Sequence, residues 1–246
     1  DVMAFSGAKL VEVGTTNKTH LRDYENAITD DTAAILRVHP SNYKIQGFTS
    51  EVPLEPMVEL AHANGLLLYD DVAPGSLVDF SRYGFEKEPT LPDSVAGGAD
   101  VITASGDKLI GAAQAGLILG KADIIKRIRK NQFARIVRVD KMTLTVLEAT
   151  LKLFLDEETA KQQVPTLRML LRPVEDIRKQ ARRIVTKLRK AKLPCTVEAA
   201  DGFSQTGSGS LPAQNLPTRL VSVQPETISS TVLANRLRHH TVPIFT

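Results

Sequence analysis

One lysine of the sequence follows an apolar segment of the kind that forms buried strands. Lys108 lies in "TASGDKLIG", between the apolar run 100–105 and a loop of small residues. Burying an ammonium group costs free energy unless the group is paired or used chemically. A second apolar run, "GLLLYDD" (65–71), ends in Asp70 and Asp71. A lysine and a carboxylate at two strand ends allow two interpretations, a structural ion pair or an active site.

The active-site interpretation would make the lysine the anchor of pyridoxal 5'-phosphate. That cofactor needs a lysine for a Schiff base and an acid that keeps its pyridine nitrogen protonated. Ser105 stands three residues before Lys108, in S-x-x-K, where its hydroxyl could donate to the cofactor phosphate. From this pattern alone the structural interpretation is favoured, because lysines after strands are common.

These residues need a scaffold, and the sequence predicts alternating strands and helices. Short apolar runs bounded by turn residues predict strands at 33–39, 65–71, 100–105 and 115–120. Helical spacing of apolar residues predicts helices at 54–65, 122–132 and 140–156. This alternation predicts an α/β domain with a largely parallel sheet of buried strands. Functional groups of such domains gather at the carboxyl ends of the strands.

The pattern changes near residue 171. Pro173 opens a predicted helix with an apolar stripe formed by Val174, Ile177, Ala181, Ile184 and Leu188. Strand-like segments and a glycine-serine loop follow. We therefore predict a large domain over 1–170 and the start of a smaller α/β domain over 171–246.

Composition excludes several classes of protein. The 246 residues are 42% hydrophobic and 24% charged, which is typical of a globular chain. The single cysteine, Cys195, excludes an internal disulfide framework and fits a reducing cytoplasm. No apolar run is long enough to span a membrane, and the five histidines have no metal-ligand spacing. The sequence starts and stops inside apparent elements, so we expect it to be part of a longer protein.

Charge is distributed unevenly along the chain. Residues 1–100 hold 16 acidic and seven basic residues, whereas residues 101–200 hold ten acidic and 21 basic residues. A basic middle segment predicts an anionic partner for one face. Solvated helix surfaces account for most of these charges equally well.

Five segments together resemble the bacterial selenocysteine synthase family, the L-seryl-tRNA(Sec) selenium transferases. They are "VEVGTTNKTHLRDYENAI", "VHPSNYKIQGFT", "GSLVD", "SGDKLIGAAQAGLILGK" and "RVDKMTLTVLEATLKLF". The resemblance extends from about residue 9 to residue 172. It implies the aspartate-aminotransferase-like fold (fold type I) of pyridoxal phosphate enzymes. The predicted large domain would then bind the cofactor and be incomplete at its N-terminus, and the small domain would also be incomplete.

The resemblance also implies roles for individual residues. Lys108 would be the Schiff-base lysine, and Asp71, five residues before the serine of "GSLVD", would face the pyridine nitrogen. Ser105 matches a phosphate contact, and Asn42 would donate to the ring oxygen of the cofactor. Asp107 matches the acid beside the lysine in the family motif.

An arginine pair carries a further implied role. Arg135 and Arg138, in "ARIVRVDK", match arginines that handle the selenium donor in the family. Their spacing predicts one helical face, and guanidinium groups suit phosphate oxyanions. Without the resemblance they would be interpreted as surface arginines. Asp70 is expected to be a turn or capping acid, and His39 either lines the site or is a satisfied structural histidine.

The implied reaction converts seryl-tRNA(Sec) into selenocysteinyl-tRNA(Sec) with selenophosphate, through an aminoacrylyl intermediate. It would take place in the cytoplasm, in a ring-like homo-oligomer, with no membrane, DNA or metal partner. One alternative is a paralogous pyridoxal phosphate β-eliminating lyase that acts on a small amino acid or amino sugar phosphate. Another is a truncated chain without catalytic activity. Two loops depart from the glycine-rich sequences that the family tends to have, at Ala73, Pro74, Ala112 and Ala113. These residues stiffen the loops, so the sequence does not establish how the substrate fits between them.

Overall fold

The structure is a computed structural model that describes residues 5–207, 210–211, 214–244 and 246. The chain divides into two compact units. Of the described residues, the first unit contains 5–170, 206–207 and 210–211, and the second contains 171–205, 214–244 and 246. Each unit contains a β-sheet of its own.

The first unit is built on a four-stranded sheet in the order β1-β2-β3-β4. Its strands are β1 (Ala34–Val38), β2 (Leu67–Asp71), β3 (Val101–Ser105) and β4 (Gly116–Gly120). β1, β2 and β3 are parallel, and β4 is antiparallel to β3. All four predicted strands are confirmed, and so is the largely parallel α/β sheet.

The prediction that all four strands are buried was wrong for β4. Ile118 is 50% exposed and Leu119 is 37% exposed. Within the described residues β4 pairs with β3 alone, so the strand lies at an edge of the sheet. An apolar run does not reveal whether a strand is central or at the edge.

Helices of the first unit follow and separate these strands. They are α1 (Leu21–Ala27), α2 (Leu54–Ala63), a 3₁₀ turn (Phe80–Tyr83), α3 (Leu91–Ala96), α4 (Ala122–Lys130), α5 (Gln132–Ile136), α6 (Lys141–Leu153), α7 (Glu157–Gln163) and α8 (Pro165–Leu170). The predicted helices at 54–65, 122–132 and 140–156 correspond to α2, α4 and α6. The other helices are too short for an apolar period to be recognised.

The core of the first unit forms between α2 and the sheet. Met57 and Ala61 of α2 share one buried cluster with Leu68 of β2 and Ile102 of β3. Burial of a side chain of the size of Met, Leu or Ile contributes roughly 1.5–3 kcal/mol. Gly65, which has a φ of 68°, follows the C-cap of α2, where glycine is favoured. This packing fixes the strands that carry the predicted site residues.

The second unit is a two-layer arrangement of helix and hairpin. Its elements are α9 (Val174–Lys190), β5 (Cys195–Ser204), β6 (Leu216–Pro225) and α10 (Ser230–Arg238), and β5 and β6 are antiparallel. Ala181 and Val185 of α9 are buried, whereas Ile184 is 39% exposed. The predicted apolar stripe is therefore wrong by one residue at this turn, because the buried face passes through Val185.

Among the described residues, no helix has the length and apolar composition that crossing a membrane requires.

Candidate functional site

The two predicted motifs leave the sheet at the same edge. Asp71 is the last residue of β2 and Ser105 is the last residue of β3. The strands are parallel, and Asp71 pairs in register with Thr103. Lys108 lies in the turn that follows β3. The lysine and the acid are therefore carried by neighbouring strand ends.

The two adjacent acids of β2 have different surroundings. Asp70 is fully buried and accepts hydrogen bonds from Arg37 Nη1 at 3.1 Å and from Ser94 Oγ at 2.6 Å. The expectation that Asp70 is a turn or capping acid was wrong, because its side chain links β1, β2 and α3. Successive side chains of a strand point to opposite faces, which directs Asp71 away from this network.

Asp71 is held by a neighbour that the sequence did not indicate. The Thr103 hydroxyl donates to Asp71 Oδ1 at 2.8 Å, and it lies 3.0 Å from the Tyr69 hydroxyl. The half-buried carboxylate has no other side-chain hydrogen bond or ion pair with the part of the chain that the structure describes. One oxygen is therefore fixed while the other stays available. The sequence signal that could have identified Thr103 is its polar side chain within the otherwise apolar run of β3, two positions before Ser105.

Backbone hydrogen bonds join the two loops beyond these strands. The Ser105 N–H donates to the Ala73 carbonyl and the Leu109 N–H donates to the Pro74 carbonyl, both at 3.2 Å. Gly75 has a φ of 67°, and a Cβ atom there would lie 2.7 Å from the Ser105 carbonyl oxygen. The alanine and proline at 73 and 74 are compatible with this contact, because both contribute carbonyl acceptors to it.

Lys108 is half-buried, and its amine has no partner in the part of the chain that the structure describes. It lies beside Leu109 and Ile110, which are 3% and 0% exposed and anchor the turn in the core. Across the described residues, the Lys108 side chain makes no hydrogen bond or ion pair. The structural ion pair with Asp71, one of the two initial interpretations, is therefore not formed. A half-buried, unpaired amine in a fixed turn is suited to a chemical role.

The structure shows fewer contacts for the other predicted site residues, most of which are exposed. Ser105 is half-buried, whereas Asn42, in the loop after β1, and Asp107, beside the lysine, are exposed. Arg135 and Arg138 are also exposed. The expectation that the two arginines share a helical face was wrong, because α5 ends at Ile136 and Arg138 lies beyond its C-cap.

A cavity of about 420 Å³ opens at the carboxyl end of β1. His39 and Glu88 line this cavity, whereas Lys108 and Asp71 do not. The backbone N–H of His39 donates to the backbone carbonyl of Asp71 at 3.0 Å, so one lining residue is bonded to the end of the strand that carries the acid. His39 Nε2 and Glu88 Oε2 are buried without a hydrogen-bond partner among the described residues. His39 is therefore a lining residue rather than a satisfied structural one.

Burial shifts both of these groups toward their uncharged forms. Burial lowers the pKa of His39, and the nearby Arg37 guanidinium lowers it further. Burial also raises the pKa of Glu88, against a hydrogen bond from the Leu211 backbone. No group of three or more histidine, cysteine or acidic side chains that could hold a metal ion occurs in the described ranges.

Comparison with known proteins adds to this geometry. The sequence model of the SelA family, L-seryl-tRNA selenium transferase, matches residues 1–246. The L-seryl-tRNA(Sec) selenium transferase of Alkaliphilus oremlandii is 47% identical over 245 residues, which is 100% of this chain and 52% of that protein. The enzyme of the same name from Nitratidesulfovibrio vulgaris is 50% identical over 96% of this chain and 51% of its own length. The chain thus spans about half the length of these relatives.

A solved structure supports the fold. The chain superposes on D-glucosaminate-6-phosphate ammonia-lyase with a TM-score of 0.60, at 22% sequence identity, over 97% of this chain and 55% of the lyase. At this identity the likeness concerns the fold alone, and it confirms the predicted aspartate-aminotransferase-like class. The family itself follows from the sequence match, which covers every residue. The chain belongs to the SelA family of L-seryl-tRNA selenium transferases.

Proposed function

We propose that the full-length protein converts seryl-tRNA(Sec) into selenocysteinyl-tRNA(Sec), with selenophosphate as the selenium donor. The observation that carries this proposal is the family match along residues 1–246. Relatives with this activity in their names share 47% and 50% of the aligned residues. The likeness to an ammonia-lyase, at 22% identity, gives no comparable support to the alternative of a lyase.

The site residues fit pyridoxal 5'-phosphate. Lys108 supplies an unpaired amine, and Asp71 supplies a carboxylate with one oxygen held by Thr103 and the other available. In this proposal Lys108 anchors the cofactor, Asp71 faces its pyridine nitrogen, and Ser105 and Asn42 contact its phosphate and ring oxygen. When bound, the cofactor withdraws electrons from the Cα atom of the seryl group, so that the β-hydroxyl can leave.

Lys108 has a second task in this proposal, which is proton transfer. Once the amino group of the seryl residue has replaced Lys108 on the cofactor, the released lysine amine would take the proton from the Cα atom, since a general base must lie close to the proton it removes. The buried side chains of Leu109 and Ile110 hold the turn in place, so the lysine side chain extends from a fixed backbone. Asp107, which is exposed beside it, is proposed to contribute to this part of the site.

Arg135 and Arg138 are proposed to hold the selenium donor. Both are exposed, and neither makes a side-chain ion pair with the described residues. Free guanidinium groups bind phosphate oxyanions through charge-assisted hydrogen bonds. The donor would thereby be positioned after the hydroxyl has left.

A homo-oligomer is also part of the proposal. Apolar side chains around α5 and the start of α6 are strongly exposed: Phe133 (72%), Ile136 (74%), Val137 (74%) and Met142 (74%). Exposed apolar side chains grouped along the chain mark interaction surfaces. We propose that copies of this protein associate here, in a ring-like assembly in the cytoplasm.

The test uses the full-length protein with seryl-tRNA(Sec), selenophosphate and added pyridoxal phosphate. Borohydride reduction and peptide mapping should find the pyridoxyl group on Lys108, and the acylated tRNA should carry selenocysteine. Lys108→Ala should abolish both results. Lys152→Ala, which removes an exposed lysine paired with Glu148, should change neither. A pyridoxyl group on another lysine, or turnover of free amino acids without tRNA, would contradict the proposal.

A further inference from the structure

Two buried polar atoms lie close together in the lining of the cavity at the end of β1, and neither has a hydrogen-bond partner among the described residues. His39 Nε2 and Glu88 Oε2 are 4.0 Å apart, which is too long for a hydrogen bond. Both side chains are 15% exposed. A buried donor or acceptor left unpaired is costly. A bound group that satisfies both atoms would recover that cost.

The dimensions and the lining of the cavity favour a flat organic ligand. Its volume of about 420 Å³ lies within the range of small-molecule sites, roughly 300–1,000 Å³. Tyr24 and Tyr43 contribute aromatic rings to the lining. Aromatic side chains stack on nucleobases.

The charges around the cavity favour a neutral ligand. Burial shifts the pKa values of His39 and Glu88 toward the uncharged forms. Three cations of the lining already have carboxylate partners: Arg37 with Asp70, Lys44 with Glu86, and Lys87 with Asp79 and Asp93. Lys18, which also lines the cavity, is exposed and can meet a phosphate attached to a neutral base.

We infer that this cavity binds the adenine of the 3'-terminal adenosine of the tRNA, an inference that rests on the proposed function. The amino acid of an aminoacyl-tRNA is esterified to that adenosine, so the base must lie near the reacting group. The cavity lies near that group at His39, because the backbone N–H of His39 donates to the backbone carbonyl of Asp71. Adenine presents an amine donor beside a ring-nitrogen acceptor. The amine donates to Glu88 Oε2, and His39 Nε2 donates to the ring nitrogen.

Deacylated tRNA(Sec) with a changed 3'-terminal base tests this on the full-length protein. Three tRNAs end in adenosine, in purine riboside, which lacks the amine, or in inosine, which has a carbonyl in place of the amine. The tRNA with adenosine should bind about tenfold more tightly than the other two, since each lacks the donor for Glu88.

Glu88→Gln should invert this preference. The Leu211 backbone N–H bonds to the Glu88 carboxylate, so it would hold the amide oxygen and leave the amide nitrogen at the position of Oε2. That nitrogen donates to the carbonyl of inosine and opposes the amine of adenine. Inosine should then bind about tenfold more tightly than adenosine. Glu59→Gln, a matched control at an exposed carboxylate of α2 that does not line the cavity, should keep the wild-type order.

Three outcomes would overturn the inference without refuting the proposed function. Equal affinity of the three tRNAs would refute the adenine site while leaving tRNA binding, and hence the proposed function, in place. A loss of thermal stability in Glu88→Gln with an unchanged base preference would assign the residue a structural role. A changed sedimentation coefficient of the Glu88→Gln variant, with the same base preference as the wild type, would show that a second copy of the protein covers the cavity. Absence of any tRNA binding would instead refute the proposed function, and the inference with it.

Discussion

Adjacent acids on one strand perform separate tasks in this molecule. Asp70 is buried and bonded to Arg37 and Ser94, whereas Asp71 is half-buried and bonded to Thr103. The alternation of side chains along β2 separates the two environments. Substitutions at the two positions should therefore have different consequences.

Asp70→Asn should lower stability, and Asp71→Asn should lower activity. The first change leaves the Arg37 guanidinium, which is 19% exposed, without its counter-charge, and breaking such a pair costs about 3–5 kcal/mol. The second removes the acid proposed to face the pyridine nitrogen but leaves the core intact. Urea denaturation and turnover should be measured on both variants. A stable but inactive Asp70→Asn would show that the roles of the two acids are reversed.

Thr103→Val should weaken catalysis through Asp71. The change keeps the side-chain shape but removes the hydroxyl that donates to the carboxylate. A hydrogen bond to a charged group contributes about 1.5–3 kcal/mol, so turnover should fall by roughly one to two orders of magnitude. Thr103→Ser keeps the hydroxyl and should restore most of the turnover. An altered absorption spectrum of the bound cofactor in the valine variant alone would separate this effect from simple misfolding.

At the scale of elements, the site depends on the contact between the loops after β2 and β3. Gly75→Ala should disturb this contact, because its Cβ atom would lie 2.7 Å from the Ser105 carbonyl oxygen. Gly84→Ala is a matched control with a positive φ and no atom within 4 Å. The control should lose about 1–2 kcal/mol from backbone strain alone. Gly75→Ala should lose more and also bind pyridoxal phosphate more weakly, which equilibrium dialysis measures. Equal losses would exclude the proposed contact.

A pH-sensitive cluster joins the start of the 3₁₀ turn, the loop that follows it and the first turn of α3. Lys87 bonds to Asp79 at 2.9 Å and to Asp93 at 3.0 Å. Hydrogen bonds from Lys87 and then Ser81 lower the pKa of Asp79 to about 2 from its ordinary 3.8. Because the folded-state pKa is the lower one, the stabilisation is complete above pH 3.8 and is lost as the pH falls toward 2.

Lys87→Met should therefore destabilise the protein near neutral pH and have progressively less effect below pH 4. Lys87 is 52% exposed, so each ion pair contributes less than about 1 kcal/mol after solvent screening. Urea midpoints at pH 7, 4 and 2.5 measure the difference from the wild type. Lys126→Met, at an exposed lysine of α4, controls for the loss of charge. A difference that does not depend on pH would refute the linkage.

The strands were predictable from sequence, while the contacts between them were not. The apolar runs located β1 to β4, since short apolar runs bounded by turn residues form strands both inside this sheet and at its exposed strand β4. The bond from Thr103 to Asp71 joins residues 32 positions apart, and only the register of β2 with β3 creates it. Glu88 carries no local signal either, since its significance comes from the His39 nitrogen 4.0 Å away, which has no hydrogen-bond partner among the described residues.

The ends of the helices were harder to predict from the sequence than the strands. The spacing of Arg135 and Arg138 fits one helical face only if the helix continues, and α5 ends at Ile136. The resemblance that singled out these arginines does not depend on a helix. Their proposed role therefore survives the correction, although the geometric argument for it does not.

At the scale of the whole molecule, the exposed arginines lie in the same stretch of chain as the exposed apolar side chains. Arg135 belongs to α5, which also carries Phe133 and Ile136, 72% and 74% exposed. If copies of the protein associate through this segment, the arginines would lie close to the interface. A donor-binding role then requires the assembled protein, and the test must use it.

The double variant Arg135→Ala, Arg138→Ala should separate donor use from tRNA binding. It should still bind pyridoxal phosphate and seryl-tRNA, but transfer selenium poorly. Each charge-assisted contact to a phosphate contributes about 1.5–3 kcal/mol, so each loss should cost roughly one to two orders of magnitude in donor use. Raised selenophosphate should partly restore transfer, because the defect is one of donor affinity.

The competing role for these arginines is to contact the tRNA backbone. It predicts weaker tRNA binding with a reduced dependence on salt, and no recovery at high selenophosphate. Arg182→Ala, Arg183→Ala, which removes two exposed arginines of α9, is the matched control for the loss of two positive charges. tRNA affinity at two salt concentrations, measured beside the selenophosphate dependence, decides between the roles. Wild-type values in both assays would make Arg135 and Arg138 ordinary surface charges, since neither anion would then depend on them.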